Sequence, residues 1–327
     1  MSTASILVAV DGTHCRRSDG SAIADIAQRA TDAGNHVFYV PGVGTSKGFR
    51  LRGAIAGREF GPRIRNTYVA LTLLCNEIGG EVALYFIGYS RGGALALSLA
   101  NLIRDCGIPQ NPASELFGKE AMVVYGRREG YAGVRQAEFM EKWSCTLPPI
   151  RFMGLFDPVG SLSLPLPNRP ARLLTGHHRF DLPSNVERYF SLLSIHENRR
   201  LFKPVLQTGL YAVPVTQCWT TGTHADIGGT TSPRLGAVAR NEMARQITRA
   251  GMTIQMVGEE DPCAPIFTDA RHMGVRPETR PVGVGRGTGE CVHPSVQARL
   301  EAGLSDDLLR AALSLPVLET SEGPARD

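Results

Sequence analysis

Short, continuous apolar runs alternate in the first third of the chain with longer segments whose apolar residues recur at helical spacing. Three of these runs predict buried strands, at residues 6–10, 36–40 and 82–87. Three of the longer segments predict helices, at residues 21–33, 68–78 and 93–100. Strands that alternate with helices favour an α/β fold, with a mostly parallel sheet and helices on both faces.

The rest of the chain follows the same pattern less regularly. Two more strands are predicted at residues 150–156 and 213–219, and Pro214 favours an edge strand or an irregular strand for the second. Helices are predicted at residues 237–250 and 294–313. Residues of about 108–149 and 162–204 are more polar or rich in Pro and Arg, which indicates insertions or lid segments over the active site. We therefore expect a single domain over residues 1–315, followed by a flexible tail at 316–327.

The segment Gly88-Tyr89-Ser90-Arg91-Gly92 joins the third predicted strand to a helix rich in small residues. Strand, sharp turn and helix form the context of a nucleophile elbow, in which the two glycines leave room for a strained serine. The positive end of the following helix favours an oxyanion beside Ser90. A serine that only caps the helix fits the same five residues. The context predicts a serine hydrolase of the α/β-hydrolase type.

A serine nucleophile needs a base and a carboxylate that orients the base, and both are present in the order that α/β hydrolases use. Asp157 and His224 each follow an apolar run, so both are expected at the carboxyl edge of the sheet. The alternative readings are a turn residue before Pro158 and a histidine that only packs in a loop. His293 is the rival candidate for the base.

Asp11-Gly12-Thr13 ends the first predicted strand. The backbone N–H groups of Gly12 or Thr13, together with that of Arg91, are candidates for an oxyanion hole, although a simple strand-ending turn explains the segment equally well. Asp11 and Asp226 are candidate supporting carboxylates behind the triad. Asp226 also fits a helix cap, and with Asp11 it would make a weak Mg²⁺ or Ca²⁺ site.

Composition and charge argue against several kinds of function. The net charge is +4 without a Lys/Arg block, which argues against nucleic-acid binding. Seven scattered cysteines without C-x-x-C spacing indicate free thiols and argue against a cysteine-ligated zinc. No signal peptide and no run long enough to cross a bilayer is present in the sequence. We expect synthesis in the cytoplasm, no cofactor and no metal.

Five blocks of sequence, taken together and in order, resemble the α/β-hydrolase domain family that includes type VI secretion phospholipase effectors. They are residues 10–13, 39–45, 87–93, 154–161 and 223–229. Residues 197–204 and 292–296 match more loosely. Three positions differ from the family pattern: Gly93 replaces the usual Ala, Pro158 replaces a common Thr, and Ala225 replaces the usual Ser.

The resemblance implies an α/β hydrolase with Ser90 as nucleophile, Asp157 as orienting acid and His224 as base. It implies an ester or lipid substrate, phospholipid acyl esters above all, with contact to a membrane surface. It also implies export by a dedicated secretion system, and a partner in that apparatus or an immunity protein. The alternatives are an esterase or acyltransferase on a small soluble substrate, a catalytically silent binding module, and, as the weakest, a metal-dependent hydrolase using Asp11 and Asp226.

Overall fold

The computed structural model describes residues 3–42, 56–126, 132–160, 179–256, 258–266, 278–282 and 286–319. Within these residues seven parallel strands form one sheet in the order β2-β1-β3-β4-β5-β6-β7. The strands are β1 Ala4–Val10, β2 His36–Val40, β3 Val82–Tyr89, β4 Ile150–Phe156, β5 Tyr189–Ser194, β6 Val215–Thr220 and β7 Glu290–Val292. The predicted α/β fold with a mostly parallel sheet is confirmed.

Helices cover both faces of this sheet. They are α1 Ala22–Asp32, α2 Ala56–Ile78, α3 Arg91–Cys106, α4 Leu116–Tyr125, α5 Ala132–Lys142, α6 His224–Ile227, α7 Pro233–Arg249, α8 Pro294–Glu301 and α9 Asp307–Ala312. Short 3₁₀ helices lie at Arg17–Asp19 and Arg200–Phe202. None of the described helices is both long and apolar enough to cross a membrane.

Alternating side chains of β1 show how the two faces are filled. Ile6 and Val8 belong to the core under α2, α3, α4 and α5, whereas Leu7 and Ala9 belong to the core under α1 and α7. A parallel strand that is buried on both faces needs apolar residues at consecutive positions, because successive side chains point in opposite directions. This is why the strands read as unbroken apolar runs in the sequence.

The structure corrects the sequence reading of residues 162–204 and of the sheet edge. Residues 161–178 lie outside the described part of the chain, but Tyr189–Ser194 forms a fully buried strand between β4 and β6. The β6 strand is therefore interior rather than at an edge, because Pro214 lies just before it and β7 pairs with its far side. A strand of six residues between Arg- and Pro-rich flanks gives little periodic signal.

Residues 108–149 and the chain end also differ from expectation. Helices α4 and α5 occupy half of the first segment; α4 packs on α2 and α3, and α5 packs on α3 and α4, with Phe117 and Tyr125 buried in the same core. The predicted helix at 294–313 is two helices, interrupted where Gly303 takes a φ of +76°. The first residues of the expected tail pair with β7 through Leu318 and Pro316, and residues 320–327 lie outside the described part.

Candidate active site

Ser90 occupies the turn between β3 and α3 in a left-handed conformation, with φ +55° and ψ −126°. Non-glycine residues avoid this region, so the turn is strained and must be held by its surroundings. Gly88 and Gly92 allow the close packing: a Cβ on Gly92 would lie 2.4 Å from the carbonyl oxygen of Val10. The absence of these side chains brings the end of β1 against the turn that carries Ser90.

Ser90, His224 and Asp157 come together at the carboxyl edge of the sheet. The Nε2 atom of His224 lies 2.9 Å from Ser90 Oγ, and its Nδ1 lies 2.6 Å from Asp157 Oδ2. All three side chains are buried. This arrangement allows the imidazole to accept the serine proton while its other nitrogen donates to the carboxylate.

Asp157 has a second partner that the sequence reading missed. Arg280 donates from Nη1 to Asp157 Oδ1 at 2.5 Å and from Nη2 to Oδ2 at 2.8 Å. Although burial raises the pKa of the Asp157 carboxyl, the charge of Arg280 and the hydrogen bonds from His224 and Arg280 outweigh it and hold that pKa well below its ordinary value. Residues 262–289 carry no periodic pattern, so the sequence gives no signal for this contact.

Two aromatic rings hold the His224 imidazole. The ring centroids of Tyr89 and Phe202 each lie 4.8 Å from that of His224, the first tilted and the second edge-on. Tyr89 also donates from its hydroxyl to the His224 carbonyl oxygen at 3.1 Å. The ring is thereby fixed between Asp157 and Ser90.

An ion pair between the buried Glu197 and the partly exposed Arg199 supports Phe202 and the turn that carries His224. Arg199 donates to both carboxylate oxygens of Glu197 at 2.8 and 2.7 Å, and its guanidinium carbon lies 3.7 Å from the centroid of the Phe202 ring. Burial raises the pKa of Glu197, but the hydrogen bonds and charge of Arg199 lower it below the ordinary value. These residues lie in the block at 197–204, which resembles the family more loosely. That resemblance was the sequence signal that could have located them.

The candidate oxyanion donors differ in their availability. The N–H of Gly12 donates to the carboxylate of its neighbour Asp11 at 2.7 Å, so it is already engaged. The Oγ1 of Thr13 is buried and has no hydrogen-bond partner within the described part of the chain. The backbone N–H groups of Thr13 and Arg91 likewise donate to none of the described backbone carbonyls outside helices and strands.

The carboxylates of Asp11 and Asp226 each accept hydrogen bonds from groups in their own part of the chain. Asp11 accepts hydrogen bonds from Ser21 Oγ at 2.5 Å and from the Tyr39 hydroxyl at 2.6 Å, and burial raises the pKa of its carboxyl. Asp226 accepts from the N–H of Thr223 at 2.8 Å, in the capping box that starts α6 at His224. Both carboxylates therefore hold turns that carry candidate site residues. Across the described ranges no three His, Cys, Asp or Glu side chains are grouped as metal ligands.

The rival base lies apart from the serine. His293 caps α8, where its Nδ1 accepts the Ser295 N–H at 3.1 Å, and its Nε2 lies 3.8 Å from Glu242. His224 is thus the histidine that the fold places against Ser90.

A parallel sheet whose central strand leads through a strained serine turn into a buried helix is the fold of an α/β hydrolase. Within that class, the family of Tle1-like type VI secretion system phospholipase effector catalytic domains matches residues 4–253. The chain belongs to this family.

Several solved structures are similar to the chain. An uncharacterized protein from Pseudomonas aeruginosa is 17% identical over 78% of this chain and 47% of its own, with a TM-score of 0.46. The Tle1 effector bound to the VgrG spike is 16% identical over 69% of this chain and 51% of its own, with a TM-score of 0.36. A metagenome-derived lipolytic enzyme, LipS or LipT, is 12% identical over 76% and 94%, with a TM-score of 0.42.

No curated protein matches the chain. The chain spans about half the length of the first two structures, 47% and 51% respectively.

Proposed function

We propose that the chain hydrolyses acyl esters of phospholipids with Ser90 as nucleophile, His224 as base and Asp157 as orienting acid. The observation that carries the proposal is the continuous hydrogen-bonded path from Ser90 Oγ through His224 to Asp157, at 2.9 and 2.6 Å. Membership of a phospholipase effector family supports the lipid substrate. It also supports export through a type VI secretion system, with a secretion-apparatus partner or an immunity protein as binding partners.

The chemistry has two steps. Ser90 Oγ attacks the ester carbonyl while His224 Nε2 takes its proton, and the carbonyl oxygen becomes an oxyanion. Collapse breaks the bond to the lysophospholipid alcohol, which leaves with the proton from His224, and Ser90 keeps the acyl group. Water then attacks the acyl-enzyme, His224 accepts its proton, and the fatty acid leaves as the proton returns to Ser90.

We assign the oxyanion hole to the N–H of Arg91 and to Thr13, through its N–H and its unpartnered hydroxyl. Arg91 is the first residue of α3, so the positive end of the helix dipole adds to its N–H. Gly12 contributes to the site by forming part of the turn that follows β1. Asp11 holds the loop, and Asp226 holds the turn before His224.

A fluorophosphonate probe tests the nucleophile. Wild-type protein should be labelled and Ser90→Ala should not be. The matched control Ser98→Ala, which changes another buried serine of α3, should label like wild type. An unlabelled wild type, or a labelled Ser90→Ala, contradicts the mechanism and favours a silent module.

Vesicles of phosphatidylethanolamine and phosphatidylglycerol test the substrate. Release of free fatty acid that depends on Ser90 is expected. Turnover confined to short soluble esters would replace phospholipid with a soluble substrate while leaving the mechanism intact.

A further inference from the structure

Arg280 connects the triad acid to two other parts of the site. Besides its two bonds to Asp157, it donates from Nη1 to the carbonyl oxygen of Ser194 at 3.0 Å and from Nη2 to that of Phe202 at 2.5 Å. Ser194 ends β5, and Phe202 packs against the His224 ring. One side chain thus ties the acid, a strand end and the histidine support together.

The Asp157 carboxylate is fully occupied by donors. Its Oδ1 accepts from the Ser194 N–H at 3.0 Å and from Arg280, and its Oδ2 accepts from His224 Nδ1 and from Arg280. The two nitrogens of a guanidinium fork match the two oxygens of a carboxylate, and a lysine ammonium cannot reproduce that pairing. The pair fixes the rotation of the carboxylate, and therefore which oxygen faces the imidazole.

Asp157 has no solvent exposure and Arg280 has 7%, so water does not screen the pair. A buried carboxylate with only a neutral imidazole beside it would favour its protonated form. The positive charge of Arg280 removes that tendency.

We propose that Arg280 is a positioning residue for hydrolysis, which holds the Asp157 carboxylate turned toward His224 Nδ1. The proposal rests on the proposed function of the same site. Among the described residues Arg280 makes no hydrogen bond to Ser90; it acts through Asp157 and through the Phe202 backbone that it holds.

The acid side of the pH profile carries the signature of this role. Among the described residues, the charged or titratable groups that face Asp157 are His224, Arg280, Tyr89 and Arg199. Removing Arg280 lets Asp157 take up a proton at higher pH, and a protonated Asp157 no longer accepts from His224 Nδ1. This change moves the acid limb of kcat/KM to higher pH.

The experiment compares wild type with Arg280→Met, Arg280→Lys and a matched control, Arg299→Met. Arg299 is similarly buried, with 8% exposure, but it donates from Nη1 to the carbonyl oxygens of Pro262 and Ala264, both at 2.8 Å. Ester turnover and fluorophosphonate labelling are measured from acid to neutral pH, with circular dichroism as the check on folding.

Arg280→Met should lower kcat by about 10²-fold at neutral pH with KM nearly unchanged, the size of effect expected for a misplaced catalytic group. Its acid limb should move up by about one pH unit or more. Arg280→Lys should regain part of kcat and should show a smaller shift of the acid limb. Arg299→Met should keep the acid limb at its wild-type pH. The proposal is overturned if Arg280→Met folds and its acid limb stays at the wild-type pH. It is also overturned if the acid limb of Arg299→Met shifts as much as that of Arg280→Met. If Arg280→Met does not fold, Arg280→Lys decides, since a wild-type kcat and limb there also overturn it.

The proton of His224 Nδ1 gives a readout that needs no turnover. Its downfield NMR resonance should weaken or move in both Arg280 variants and stay in Arg299→Met; an unchanged resonance in Arg280→Met overturns the proposal. If wild type neither turns over nor labels, the proposed function fails, and the resonance still tests Arg280.

Discussion

Gly93 and Pro158 meet where the nucleophile turn packs against the turn that carries Asp157, so closely that a Cβ on Gly93 would lie 2.9 Å from Pro158 Cβ. The sequence resemblance implies Ala at the first position and commonly Thr at the second, and this chain differs at both. Because the proline ring fixes its own φ, the Pro158 backbone has little freedom to retreat. The two departures are therefore complementary: the glycine makes room for the proline.

Gly93→Ala should lower the free energy of unfolding by about 1–3 kcal/mol, the usual cost of overpacking. In a Pro158→Thr background the same change should cost less, since a non-proline backbone can shift by a few tenths of an ångström. Urea denaturation of the two single variants and the double variant completes the cycle. Costs that simply add would show that the two positions are independent.

The sequence predicted those elements whose side chains are buried on a regular pattern. Strands such as Ile150–Phe156 are unbroken apolar runs, and the residue after each run lies at the carboxyl edge, which is why Asp157 could be located. The β5 strand was missed, because burial of Tyr189–Ser194 depends on strands on either side that no local pattern reveals.

The supporting residues of the site could not be predicted in the same way. Arg280 contacts Asp157 across 123 positions of sequence, and the described residues around it, 278–282, form neither strand nor helix, so neither spacing nor periodicity connects the two. Thr13 was among the oxyanion candidates, but only the folded chain distinguishes its unpartnered hydroxyl from the engaged N–H of Gly12.

Asp157→Asn should destabilise the fold as well as abolish turnover, because it leaves the buried Arg280 without a counter-charge. We expect a loss of about 3–5 kcal/mol, as for other buried pairs that lose one member. The double variant Asp157→Asn/Arg280→Met should regain much of this stability but no activity. Thermal and urea unfolding measure both effects. If Asp157→Asn is as stable as wild type, the ion pair contributes little to the fold.

The free energy of unfolding should fall at acid pH, and part of this fall should depend on the Asp157–Arg280 ion pair. The pKa of Asp157 is lower in the folded chain than its ordinary value of 3.8, so this contribution is complete above the ordinary value and is lost as the pH falls below it. Glu197 and Glu242 have lowered pKa values and act in the same direction. Between about pH 4 and 2 the urea midpoint of wild type should therefore drop more steeply than that of Asp157→Asn/Arg280→Met. Parallel slopes would contradict the expectation.

Arg91 should favour substrates that carry phosphate. Burial lowers the pKa of its guanidinium, which has no hydrogen-bond or ion-pair partner in any of the ranges that the structure describes, although it follows Ser90 directly. A phosphate near the scissile ester would supply that partner. Arg91→Met should reduce kcat/KM about 10- to 100-fold on a short-chain phosphatidylcholine, the loss of a hydrogen bond to a charged group, and much less on the diacylglycerol with the same acyl chains. Equal losses on both substrates would assign the Arg91 side chain a role in folding alone, because Arg91→Met keeps the backbone N–H of the oxyanion hole.

Thr13→Val should remove an oxyanion donor while keeping the shape of the side chain. The Thr13 hydroxyl is buried and has no partner among the residues that the structure describes, so it is available to an oxyanion that forms only during the reaction. We expect kcat to fall about 10²- to 10³-fold with little change in KM, since the donor acts on the transition state rather than on the bound ester. Thr13→Ser keeps the hydroxyl and should retain most of the activity. Steady-state kinetics on one soluble ester measures all three proteins. Because a valine would also relieve an unpaired buried hydroxyl, Thr13→Val should be at least as stable as wild type, and a loss of activity with full stability assigns the effect to catalysis.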